Sequence, residues 1–151
     1  MQSRLRFSFV MTLLLLGCER EYTSQKPSAG GVAGTYVVTD ASVKTVEKLW
    51  KERVSRGTLI INADGTFTAN DVPGIFGLSA HSAGAIASYS GTWTFVSEPD
   101  GWAILFETRY MWESGTRTSH RTRMFLEGEA RPYRLIFNLT ADDDIVLAQR
   151  R

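Results

Sequence analysis

The chain has 151 residues, a formal charge of +1, 43% hydrophobic residues and a single cysteine. Near-neutral charge excludes nucleic acid as a default partner, because that needs a strongly basic field, and a lone cysteine excludes an intramolecular disulfide. The length suits one domain that buries most of its unfolded surface.

Arg4 and Arg6 open an N-terminal segment that runs apolar from Phe7 to Leu16, broken only by Ser8 and Thr12. A short positive region, about ten apolar residues and a small residue at the end describe a secretory signal. The apolar stretch is about half the roughly 20 residues that a transmembrane helix requires. Leu15-Leu16-Gly17-Cys18 closes the segment and resembles the lipobox of a bacterial lipoprotein signal. The resemblance implies that residues 1–17 are removed and that Cys18 becomes an acylated N-terminus holding the protein on a membrane. Glu19 stands where inner-membrane lipoproteins commonly carry aspartate, which implies the periplasmic face of the outer membrane. An ordinary cleaved signal followed by a chance cysteine is the alternative. The chain from Cys18 onward carries 15 basic and 16 acidic side chains.

Residues 18–31 are polar and end in Ala29-Gly30-Gly31. They read as a flexible tether with a root-mean-square reach of roughly 20 Å, which leaves 32–151 as the domain. Gly34–Thr39 is rich in β-branched and aromatic residues and predicts a first strand. Asp40 then offers an N-cap to a helix over Ala41–Arg56, in which Val43, Val46, Trp50 and Val54 share one face. Lys44, Lys48 and Lys51 fall on another face, read as a solvated surface in preference to a contact with anionic lipid. From Thr58 the chain becomes a run of short strands. Leu59–Asn62 and Thr66–Ala69 flank Ala63-Asp64-Gly65, a strong hairpin signal. Gly91–Val96 and Trp102–Phe106 flank Glu98-Pro99-Asp100-Gly101, and Arg121–Glu127 and Tyr133–Leu139 are joined across Gly128–Pro132. Ile145–Ala148 closes the chain. Period-two alternation, as in Trp93 with Phe95 and Trp102 with Ile104 and Phe106, gives each strand one apolar and one wetter face. The reading is an all-β, antiparallel up-and-down barrel of about eight strands with one peripheral helix; an open two-sheet sandwich is the alternative.

Gly34-Thr-Tyr36, Leu59–Phe67, Gly91-Thr-Trp93 and Tyr133–Phe137 with its acidic turn together resemble small lipocalin-like bacterial proteins of uncharacterised function. The resemblance covers most of residues 34–149. Its motifs are turn glycines and core aromatics, so they imply architecture and carry no activity. The helix over 41–56 is longer than such a meander needs.

Chemistry is sparse. His81 and His120 lack neighbours of metal-ligand type, so no metal or other cofactor is expected. Ser79 in Gly77-Leu-Ser-Ala-His81 lacks the second glycine and the strand-turn-helix setting of a nucleophile elbow, and no enzyme is expected. Asp142-Asp143-Asp144 cannot reproduce the alternating spacing of a calcium loop. Two regions stand out. Asp71–Ser90 is an apolar, glycine-bearing connection, read as a plug or lid over a barrel end. Arg109, Arg117, Arg121, Arg123, Arg131 and Arg134 are crowded together without a lysine; Arg121 and Arg123 share a strand face and suit anionic headgroups, unless cross-strand ion pairs absorb them. The expected function is an envelope lipoprotein holding a small apolar or amphipathic ligand inside the barrel, walled by Trp93, Phe95, Trp102 and Phe106. The alternative is a filled barrel acting on an envelope protein through its outer surface.

Overall fold

The computed structural model describes residues 21–51, 56–72, 87–111, 117–139 and 143–150. Eight antiparallel strands follow one another around a closed barrel: β1 Gly34–Val38, β2 Thr58–Ile61, β3 Thr66–Val72, β4 Ala87–Glu98, β5 Gly101–Met111, β6 Arg117–Glu127, β7 Arg134–Asn138 and β8 Asp144–Gln149. Closure comes from β1 and β8, where Tyr36 lies opposite Gln149 and Val38 opposite Leu147. The open sandwich is therefore excluded. The count of eight matches the expectation, while β4, β5 and β6 run longer than their apolar stretches alone indicate. Their extra residues carry hydroxyl and charged side chains at positions where backbone pairing continues without an apolar pattern.

The barrel has two ends. The hairpin end carries the turns after β2, β4 and β6; the helix end carries the connections after β1, β3, β5 and β7. At the β2–β3 turn, Asp64 accepts hydrogen bonds from the Thr66 amide (2.9 Å) and hydroxyl (2.7 Å), and these bonds hold its carboxyl below its ordinary pKa. Between β3 and β4 the register shifts around Asp71, whose positive φ marks a bulge. Gly91 sits mid-β4 because any side chain there would collide with the Glu107 carbonyl. A glycine at such a kink lets a strand bend sharply enough to close a small barrel.

The helices are α1, Ala29–Val32, and α2, Asp40–Trp50. The expected N-cap, Asp40, is instead the first helical residue; Thr39 holds the extended cap backbone and its side chain accepts from the Ser42 amide. The helix ends at Trp50, earlier than Arg56, because Lys51 takes a left-handed conformation. Val46 is fully buried, Val43 and Trp50 pack against the core, and the Ser42 hydroxyl accepts from the Val146 amide at 2.8 Å. The helix thus lies across the helix end beside β8 and leaves closure undisturbed. Val54 lies outside the described residues.

Residues 21–31 correct the expectation of a free tether. Thr23 inserts where β5 and β6 part: its amide donates to the Leu126 carbonyl and its carbonyl accepts from the Trp102 amide, both at 2.9 Å. Tyr22 forms an isolated antiparallel bridge with Glu127 and packs on the Phe125 ring. The fit requires Gly101, since a Cβ there would press on Tyr22 and on the Thr23 carbonyl. Ser28 caps α1, Val32 is fully buried, and the Tyr36 hydroxyl donates to the Val32 carbonyl at 2.7 Å. Gln149, itself buried, accepts from the Tyr133 amide at 3.0 Å and donates to the Ala33 carbonyl at 3.1 Å. The segment therefore closes the hairpin end.

Candidate functional site

Inward and outward positions alternate around the wall, so the register alone sorts the interior. Trp93 lies opposite Phe106, Phe95 opposite Ile104, and Phe106 opposite Thr122, all facing inward. The four expected ligand-wall aromatics thus come together, and their contacts are with one another and with the core. Trp93 meets Phe95 edge-on at 5.1 Å, Phe95 meets Trp102 at 6.4 Å, and Phe106 meets Phe67 at 5.0 Å. Such edge-to-face packing fills space with favourable quadrupole contacts. Phe106 is fully buried, and the Trp93 indole N–H donates to the Asn62 carbonyl at 2.9 Å. Phe95 and Trp102 are partly buried at the hairpin end, beneath Lys26, whose ammonium lies 5.9 and 5.5 Å from their ring centres.

Toward the helix end, inward residues of β4–β6 change character. Tyr89, Thr108, His120 and Thr122 occupy inward positions, as the pairings Ala69 with Tyr89, Gly91 with Thr108 and Thr108 with His120 require. Thr108 and Thr122 are buried, and the Thr108 hydroxyl donates to the His120 carbonyl at 3.2 Å. Elsewhere the inner wall is apolar from Leu59, Ile61 and Phe67 round to Leu135, Ile145 and Leu147, with the buried Gln149 as its polar member at the hairpin end. Sequence reasoning set His120 aside for want of metal-type neighbours; its alternation with Thr122 and Met124 was the available signal. Among the described residues no group of three histidine, cysteine, aspartate or glutamate side chains is arranged to hold a metal ion.

Arg121 and Arg123 of β6 face outward with acidic partners. Arg123 meets Glu98 at 2.7 Å and stacks over Phe125, Arg121 lies 3.7 Å from Glu107, and on β7 Arg134 meets Glu127 at 2.6 Å. Each of these three guanidiniums has its own carboxylate, so they add no net positive patch. Arg131 is used differently: it donates to the Ala33 carbonyl at 2.9 Å and helps fasten the hairpin end. The side chains of Arg109 and Arg117 lie outside the described residues, as do Cys18, Ser79, His81, Asp142 and the centre of the Asp71–Ser90 connection. β3 extends to Val72 and β4 begins at Ala87, which shortens that connection from both sides. An open outer groove of about 430 Å3 lies between Thr66, Thr68, Ser90, Thr92 and Glu107. No helix among the described residues is long and apolar enough to cross a membrane.

No protein-family profile, curated protein or solved structure matches the chain.

Proposed function

We propose that this is a bacterial envelope lipoprotein, acylated at Cys18 on the periplasmic face of the outer membrane, whose barrel binds a small amphipathic molecule. The observation that supports binding is the inward polar group Tyr89, Thr108, His120 and Thr122, set above the apolar floor of Phe67, Phe106 and Trp93. An eight-stranded barrel has room for its own side chains or for one small ligand. Here the lower half takes the first course and the upper half is the proposed binding region. A ligand of matching chemistry has an apolar body and a hydrogen-bonding head. Binding, with no chemical step, is the proposed activity.

A fluorescent anionic amphiphile such as anilinonaphthalene sulfonate tests this reading. His120→Ala combined with Thr122→Val should weaken its binding by about fivefold or more, as expected when roughly 1 kcal/mol of polar contact is removed. Unchanged affinity in that variant contradicts the proposed site. Anchoring is tested separately: Cys18→Ser should abolish both acyl labelling and membrane fractionation. A second reading, a filled barrel that acts on an envelope protein, draws on the packed aromatics of the lower half.

A further inference from the structure

The docked N-terminal segment has a consequence for how the domain meets its membrane. We infer that the hairpin end of the barrel faces the lipid surface and the helix end, with the proposed ligand region, faces away from it. The inference rests on the proposed acylation of Cys18.

The argument is one of length. A free tether over residues 18–31 would let the barrel tumble at a distance of roughly 20 Å. In the structure the chain is fixed from Tyr22 and Thr23 onward, by the bridge to Glu127 and the hydrogen bonds to Leu126 and Trp102. Four residue steps separate Cys18 from Tyr22, and even fully extended they span at most about 14 Å. Acyl chains on Cys18 would therefore hold the mouth between β5 and β6 close to the headgroups. The hairpin turns at Asp64, Asp100 and Glu129 belong to that same end. The helix α2 follows β1 and packs on β8, strands of 5 and 6 residues; at about 3.3 Å per residue and a tilt near 40°, it would stand roughly 15 Å farther from the bilayer.

The competing arrangement uses charge. Lys44 and Lys48, with the exposed Leu49, lie on α2 at the opposite end, and Lys51 caps it. Attraction of that face to anionic lipid would invert the barrel, yet a four-residue leash fixed at the hairpin end opposes it. An orientation set by chain length is insensitive to salt, whereas one set by exposed lysines weakens as screening grows.

The test uses the full acylated protein in liposomes that contain headgroup-nitroxide lipid. A fluorophore is attached to Asp100→Cys at the hairpin end or to Lys48→Cys on α2. The Asp100 label should be quenched several-fold more than the Lys48 label, in neutral and anionic liposomes and at low and high salt alike. Inserting twelve Gly/Ser residues between Arg20 and Glu21 should bring the two signals together. Acylated protein with equal quenching at both labels, or stronger quenching at Lys48, overturns the orientation and leaves the lipoprotein reading standing. Absence of acyl mass on Cys18 overturns both.

Discussion

Replacing Gln149 by Leu probes the closure of the hairpin end at its most connected side chain. The amide accepts from the Tyr133 N–H and donates to the carbonyls of Ala33 and Val32, at 3.0, 3.1 and 3.3 Å, while 5% exposed. Leucine preserves the volume and removes all three bonds. A buried donor left unpaired costs about 1–3 kcal/mol, and each lost hydrogen bond contributes roughly 1 kcal/mol net. The Tyr133 amide bears the first cost; the two carbonyls add to it, for a total of about 2–4 kcal/mol. For a domain of this size that corresponds to a fall in Tm of roughly 8–16 °C. Gln149→Glu serves as the control, since it keeps an acceptor for Tyr133 and at neutral pH loses the donor; it should recover part of the loss once acid protonates it. The assay is thermal and urea unfolding of the Cys18→Ser protein, followed by tryptophan fluorescence, with hydrogen exchange at Gly31–Ala33. A loss below about 1 kcal/mol for Gln149→Leu, with unaltered exchange, would refute the reasoning that this residue ties the N-terminal segment to β8.

Other substitutions separate filling from recognition. Phe106→Ala should destabilise by about 3–5 kcal/mol in the same unfolding assay, because it removes a fully buried ring that packs on Phe67. Arg123→Gln should cost less than about 1 kcal/mol, as its pair with Glu98 is exposed, and should leave binding to anionic vesicles unchanged. Tyr36 is buried and donates to Val32, and desolvation raises its pKa far above the ordinary value of 10.0. The protonated form is favoured in the fold, so its contribution is full below pH 10 and declines as the unfolded state ionises above it. Absorbance at 295 nm should show Tyr36 titrating only on alkaline unfolding, a step that Tyr36→Phe should remove.

Most of the barrel was readable because its signals are local. Asp64-Gly65 sets a hairpin, and the alternation of Trp102, Ile104 and Phe106 marks an inward face whatever the rest of the chain does. The helix boundaries were less readable. Thr39 and Asp40 are both good caps, and only backbone conformation chooses between them. The N-terminal segment was misread for a deeper reason. Thr23 is buried by backbone pairing between two strands that part, and such insertion leaves no hydropathy pattern. The crowded arginines were legible as a cluster, while the glutamate partners of Arg121 and Arg123, Glu107 on the adjacent β5 and Glu98 one strand further on β4, come near only through register. The inward polar group of β4–β6 was hidden likewise. Tyr89, Thr108 and His120 lie on three successive strands and share the inner face only through strand register.

Native mass spectrometry of the protein purified from its own organism tests the ligand-binding account most directly. The account predicts a second, heavier species carrying one small molecule, released on denaturation and lost in the His120→Ala, Thr122→Val variant. A single ligand-free mass from freshly lysed cells, the same for both proteins, would contradict it.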